Sequence, residues 1–228
     1  AVRQFWTTFL VATGLLLFLG SGDTLMGQTV IASQDFSSST GFTTNKTYCP
    51  DTSCGSSDNT FGFYSGGTAC ISGLTANSFY FRDIDACGAG AAATLTLPPM
   101  PIGTNSAELL FDGLFGFDNG GISYSGTNTV SLEYSFNGAP FTTAITFTTT
   151  GAGSMSYSGL AGSGNVSADV ANQLSFSLGS GHQGQSLVFQ IVINGFDGGT
   201  ENFFMDSFNV SALCGITFGD PISECVGG

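Results

Sequence analysis

The side chains best suited to chemistry in this sequence are carboxylates that follow apolar stretches. Five of them lie in or beside loops: Asp112, Asp118, Asp197, Glu201 and Asp206. Two carboxylates facing each other across a cleft could hydrolyse a glycosidic bond. Neither the spacing nor the flanking residues of these five fix such a pair, so the sequence favours a protein that is not an enzyme.

The same loops suit a calcium ion better, because calcium takes oxygens from carboxylates, backbone carbonyls and Asn side chains. Residues 197–202 (DGGTEN) place such groups on one tight loop, and Asp206 follows shortly after it. We expect a calcium site formed by Asp197, Glu201 and Asp206, with Asp35 joining if the first and last strands are neighbours. The alternative is that the aspartates merely favour turns, and no EF-hand spacing is present.

The six cysteines form an even set, which in an exported chain indicates disulfides. Neighbours in sequence suggest three short loops, closed by Cys49–Cys54, Cys70–Cys87 and Cys214–Cys225. A zinc site is the rival interpretation, but the sequence has no CxxC pair and His182 is its single histidine.

The N-terminal stretch has the layout of a secretory leader. Arg3 precedes an apolar run over residues 5–19 (FWTTFLVATGLLLFL), and small polar residues follow it. As a helix this run would measure about 22 Å, short of the roughly 30 Å hydrocarbon core, so we expect export and no stable membrane span. The alternative is a retained segment that completes a neighbouring subunit's sheet. We therefore divide the chain into residues 1–28, leader or donor segment, and 29–228, one domain.

Composition limits the possible partners. Acidic residues number 16 and basic residues 3, for a net charge of -13, which excludes nucleic acid and anionic membrane surfaces. Only 8% of residues are charged, while 22 Phe and 42% hydrophobic residues support a packed core. The surface must be rich in Ser, Thr, Asn and Gly, as suits a glycosylated or assembled extracellular protein. Sequons at Asn45, Asn165 and Asn209 could carry glycans, Asn209 least readily if it lies in a core strand.

Strand patterns dominate the remainder of the chain. They occur at residues 77–83, 92–97, 107–111, 129–136, 173–178, 186–194 and 202–212. Residues 129–136 (TVSLEYSF) alternate apolar and polar side chains and run into Asn137-Gly138, a hairpin turn, after which residues 141–149 return. Residues 45–59 and 151–164 are predicted to be loops. Many short strands and no helical period predict an all-β sandwich or barrel, stapled by disulfides.

Sugar binding would need exposed aromatic rings. Trp6 lies in the leader, and the phenylalanines are expected in the core. Tyr64, Tyr124 and Tyr157 lie near Gly/Ser turns and are the candidate stacking platforms. Two loops, 116–126 and 195–202, are the candidate glycan-binding loops.

Four short motifs resemble secreted β-sandwich proteins of bacteria that use the type IX secretion route. They are residues 26–28 (MGQ), 30–36 (VIASQDF), 133–138 (EYSFNG) and 204–210 (FMDSFNV). The resemblance implies an antiparallel jelly roll of the MAM-like type, with the Asp206 strand near the first strand. It also implies adhesion, glycan binding or surface assembly, often with calcium. Up to Gly228 the chain shows no C-terminal sorting domain of that family.

These observations lead to two functional hypotheses. The first is a non-enzymatic structural protein, extracellular or at the cell surface, whose copies assemble into a filament or fibril. The second is a carbohydrate-binding or adhesive module that could depend on calcium. The low fraction of charged residues and the apolar N-terminal segment favour the first hypothesis, and the polar loops favour the second.

Overall fold

The computed structural model describes residues 25–36, 40–48, 60–64, 71–74, 78–87, 92–118, 128–151, 154–196 and 202–216. In this part of the chain the strands are β1 (Leu25–Gln34), β2 (Thr43–Thr44), β3 (Thr60–Tyr64), β4 (Ser78–Arg82), β5 (Ala92–Thr96), β6 (Met100–Pro101), β7 (Ser106–Asp118), β8 (Thr129–Phe136), β9 (Thr142–Gly151), β10 (Ser154–Gly159), β11 (Gly162–Val166), β12 (Asn172–Gly179), β13 (Ser186–Asn194) and β14 (Asn202–Ile216). One 3₁₀ turn covers Ile84–Cys87.

The strands form two antiparallel sheets packed face to face. Within the described residues, sheet A has the order β12-β7-β14-β4-β3, with β1 also paired to β14, and sheet B has the order β11-β10-β9-β8-β13-β5-β2, with β6 also paired to β13. Eight of these strands give the orders β12-β7-β14-β4 and β9-β8-β13-β5. Traced along the chain, that arrangement is a jelly roll, and the predicted all-β sandwich is confirmed.

Strand β14 is the centre of sheet A. One side of it pairs with β7 along most of its length, while the other side pairs first with β4 and then with β1. The first strand of the domain therefore lies beside the last, as the resemblance implied. Residues 25–28, which the sequence analysis grouped with the N-terminal segment, are paired with β14.

The core lies between the two sheets and is built mainly from phenylalanine. Strand alternation sends every second side chain inward, so that Phe111 and Phe115 of sheet A meet Phe189 and Phe147 of sheet B. The rings pack at centroid distances of 5.3 and 4.8 Å. Aromatic pairs at such distances add to the free energy gained by burial.

The hairpin predicted from residues 129–149 is present. Asn137 and Gly138 both have positive φ, 52° and 72°, as a two-residue type I′ turn requires. The Ala139 amide donates to the Phe136 carbonyl at 3.0 Å and closes the turn. The flanking strands are β8 and β9.

The prediction of a loop over residues 151–164 is wrong. Most of this stretch forms the hairpin of β10 and β11. Its Gly and Ser residues have low strand propensity, but β10 pairs with β9 along its length and sends Met155 inward, where it is buried. Tertiary pairing and burial therefore override the local preference.

Two of the six cysteines lie in the described residues. Cys87 and Cys214 are buried, and neither is a free thiol. Cys49, Cys54, Cys70 and Cys225 lie outside the described residues, so the proposed pairing stays a prediction. No helix in the described part of the chain is long and apolar enough to span a membrane.

Candidate functional site

A row of four polar side chains crosses the outer face of sheet A. Ser33, Asn209, Asp112 and Ser175 come from β1, β14, β7 and β12, and each lies opposite the next in the strand register. The corresponding row on the inner face consists of Ala32, Val210, Phe111 and Phe176. Since neighbouring strands are about 4.8 Å apart, this polar row extends roughly 14 Å at right angles to the strands.

Hydrogen bonds hold two carboxylates on this outer face in place. The Ser175 hydroxyl donates to the carboxylate of Asp112 in the polar row. Further along the same two strands, the Ser177 hydroxyl donates to Glu108 Oε1 at 2.6 Å. Each carboxylate keeps further lone pairs that can accept hydrogen bonds from a ligand.

Two depressions flank Asp112 on this outer face. One, of about 210 Å³, lies over Leu110, Asp112, Ser175 and Ser177. The other, of about 110 Å³, is lined by Asp112, Gly113, Leu114, Gln173, Ser207 and Asn209. Asp112 thus stands between two recesses whose walls combine hydroxyl, amide and carboxylate groups with two leucine side chains.

A small apolar cluster covers one end of the outer face. Ile71 and Leu74 pack over Tyr80 and Phe204, whose rings stack at 4.6 Å and 10°, and Leu114 packs against the cluster. The covering segment is fixed to the body of the domain, because the amide of Ala171 donates to the Ser72 carbonyl at 2.7 Å. The covering segment therefore forms a wall beside Leu114, which also lines the second depression.

Gly116 allows this wall to sit close to the sheet. A Cβ added at Gly116 would lie 3.0 Å from the Ile71 side chain and 3.4 Å from that of Leu74. Below the wall, the Tyr80 hydroxyl donates to Asn202 Oδ1 at 3.1 Å. Tyr80 is thus a structural residue and not a stacking platform.

The electrostatics of the outer face are acidic. Asp112 and Glu108 lie on it, whereas Lys46 and Arg82, the basic side chains of the described part, are both buried. The net charge of the chain is -13. An anionic ligand would be repelled from this surface, whereas a neutral one would meet acceptors and hydroxyl donors.

The outer face of sheet B differs from that of sheet A. It carries a row of hydroxyl side chains in register, Ser158, Thr146 and Ser131, which continues across Val192 of β13 to Thr94 of β5. The Ser131 and Thr146 hydroxyls are hydrogen-bonded to each other at 3.2 Å. Its carboxylate, Glu133, accepts a 2.5 Å hydrogen bond from the Gln190 amide, so Glu133 is a matched counterpart to Asp112.

Two of the four predicted calcium ligands, Asp35 and Asp206, lie in the described part of the structure. Asp206 is 1% exposed and lies where the register of β14 shifts between Met205 and Phe208. Asp35 is exposed and follows Gln34, which pairs with Phe208, so both aspartates lie near the same end of the β1–β14 pair. Asp197 and Glu201 lie outside the described residues. Among the described residues there is no group of three or more His, Cys, Asp or Glu that could hold a metal ion.

The three sequons lie in different environments. Asn45 and Asn165 are exposed, and Asn45 Oδ1 accepts a 2.8 Å hydrogen bond from the Thr94 amide. Asn209 is half-buried and belongs to the polar row. Glycosylation stays a prediction at all three.

Of the three predicted aromatic platforms, the structure describes the side chain of Tyr157, which does not lie at the polar row. Tyr157 points inward, half-buried, with its ring 6.5 Å from Phe147. Tyr64 ends β3, and Tyr124 lies outside the described residues. Tyr48 packs against Phe61 at 6.1 Å, and partial burial raises the pKa of its phenol.

Comparison with known proteins gives similarity in fold alone. No family model and no curated protein matches the chain. The xylan-binding module CBM22-1 of Paenibacillus barcinonensis Xyn10C is 11% identical, with a TM-score of 0.42 over 83% of this chain and 97% of that one. The mannan-recognising module TmCBM27 is 10% identical, with a TM-score of 0.37 over 82% and 98%. A Stig cyclase from Fischerella sp. TAU is 12% identical, with a TM-score of 0.40 over 81% and 90%.

Proposed function

We propose that this protein is a non-enzymatic extracellular module that binds a neutral carbohydrate on the outer face of sheet A. The polar row of Ser33, Asn209, Asp112 and Ser175 carries the proposal. It offers serine hydroxyls, an amide and a carboxylate in a line, and these groups match the alternating donors and acceptors of sugar hydroxyls.

The ligand class follows from charge and shape. Carboxylates accept hydrogen bonds from sugar hydroxyls, and such charge-assisted bonds are stronger than neutral ones. Acidic sugars are disfavoured by the acidic chain, which supports a neutral glycan. Leu110 and Leu114 lie beside the polar row and supply apolar contact for the C–H faces of a sugar ring.

Replacing the central carboxylate tests this proposal. We expect Asp112→Ala to weaken binding of neutral oligosaccharides by about 10- to 150-fold, because a hydrogen bond to a charged group contributes about 1.5–3 kcal/mol. A glycan array identifies the oligosaccharide, and isothermal titration calorimetry then measures its dissociation constant for the wild type and the variant.

Glu133→Ala is the matched control, since it removes a strand carboxylate that also accepts a side-chain hydrogen bond, but on the opposite face. This variant should bind as the wild type does. A wild-type protein that binds no glycan on a broad neutral array would count against the proposal. Equal losses of binding affinity in Asp112→Ala and Glu133→Ala would count against the location of the site.

Calcium binding near Asp35 and Asp206 is a second prediction. A site about 99% occupied, with free calcium about 100-fold above its dissociation constant, stabilises the folded state by about 2.7 kcal/mol. For a domain of this size we expect Tm to rise by about 5–10 °C. Differential scanning calorimetry with calcium, magnesium or a chelator measures the shift, and Asp35→Asn should reduce it. An unchanged Tm, with no calcium retained in elemental analysis, would refute the prediction.

A further inference from the structure

Strand β1 has a free edge in the described part of the structure. One side of β1 pairs with β14, and no other described strand pairs with it. Its ten residues, LMGQTVIASQ, contain no charge and no proline. A register shift between Val30 and Ala32 interrupts it once, and Val30 is 56% exposed there. Free backbone donors and acceptors on such an edge are a template for another extended chain.

An apolar crevice opens beside this edge. Ala32, Ser33 and Gln34 form its rim on sheet A, and its volume is about 90 Å³. It reaches the core side chains Leu97, Met100, Phe111, Phe189, Phe208 and Val210. A larger recess of about 480 Å³, which shares Gly41, Leu97 and Pro98 with it, continues toward Pro99 and Val188.

The facing edge of sheet B cannot accept a strand in the same way. Residues 97–101 run Leu-Pro-Pro-Met-Pro along the other rim of the crevice. Proline has no backbone N–H to donate, and within sheets it is confined to edge strands, first residues of strands and bulges. An incoming strand would therefore pair with β1 and turn its apolar side chains into the crevice.

We propose that the crevice and the free edge of β1 form an acceptor groove for the apolar N-terminal segment, residues 5–19, of a second copy of the chain. The occupant must be extended, uncharged and apolar, because the groove offers a neutral backbone edge and a core-lining crevice. In a chain with net charge -13, residues 5–19 contain no charged side chain. The contact is head-to-tail, so it propagates into a filament. Ser33 is the one member of the polar row that also borders the crevice.

The test compares assembly of the full chain with two groove variants. Ala32→Leu fills the crevice, and Val30→Lys places a charge on the exposed part of the edge. We expect each to raise the concentration for half-assembly by about tenfold or more in sedimentation velocity. Val30→Thr is the matched control for the lysine and should assemble as the wild type does. Leu16→Lys in the donor segment should prevent assembly while circular dichroism and Tm remain unchanged.

Three results would overturn the proposal. A wild-type full chain that stays monomeric at the highest concentration used in sedimentation velocity would do so. Assembly that survives both groove variants would also do so. The third result is an intact mass of the native protein that corresponds to a chain starting after Gly22, because such a chain has lost the donor segment. Loss of assembly in Ala32→Leu with unchanged glycan binding would support the acceptor groove separately from the carbohydrate site.

Discussion

Phe147→Ala is expected to destabilise the protein by about 3–5 kcal/mol. Phe147 lies on β9 of sheet B and is fully buried, with its ring 4.8 Å from Phe115 and 5.2 Å from Phe203 of sheet A. Truncation removes the contact between the sheets and leaves a cavity that rigid strands cannot close. Because a domain of this kind is stable by only about 5–15 kcal/mol, the midpoint of urea unfolding should fall steeply.

Phe141→Ala is the control for this prediction. Phe141 lies just before β9 and is 40% exposed, so the same atoms are removed from a partly solvated site. We expect a loss of about 1 kcal/mol or less. Equal losses in the two variants would show that the core does not depend on Phe147 packing between the sheets.

Two central strands could be predicted from the sequence at both ends. Residues 129–136 agree with β8 because a half-buried strand carries a period of two. Residues 186–194 agree with β13 because they are rich in aromatic and β-branched side chains. The β10–β11 hairpin could not be predicted in this way. Its residues are mainly Ser and Gly, whose strand propensity is low. The hairpin forms because β10 pairs with β9.

The polar row was beyond sequence analysis for a different reason. Ser33, Asp112, Ser175 and Asn209 come from four strands that are far apart in the chain, and strand register alone brings them together. Each residue taken singly is an ordinary polar position on a solvated face. The sequence analysis placed Asp112 in or beside a loop, whereas Asp112 lies within β7, and its position opposite Ser175 follows from the strand order of the jelly roll.

Gly159→Ala should destabilise the protein by about 2–4 kcal/mol. Gly159 ends β10 with φ of +143°, where side chains are strained. An added Cβ would overlap the carbonyl oxygen of Ala144, which accepts a 2.7 Å hydrogen bond from the Leu160 amide, and would lie 2.8 Å from the Cα of Ile145. Both contacts are backbone, so relief requires β10 to move away from β9. Urea unfolding measures the global loss, and hydrogen exchange should show faster exchange in β10 and β11.

Gly162→Ala separates the steric clash from the backbone strain. Gly162 pairs with Gly159 across the same turn and has φ of +88°, yet an added Cβ there meets nothing within 4 Å. In this variant the free energy of unfolding should fall by about 1–2 kcal/mol from backbone strain alone. The two glycines share one hairpin. If Gly162→Ala lowered the free energy of unfolding more than Gly159→Ala, contact with β9 would not be what holds β10 in place. The inward position of Met155, which depends on that contact, would then need another cause.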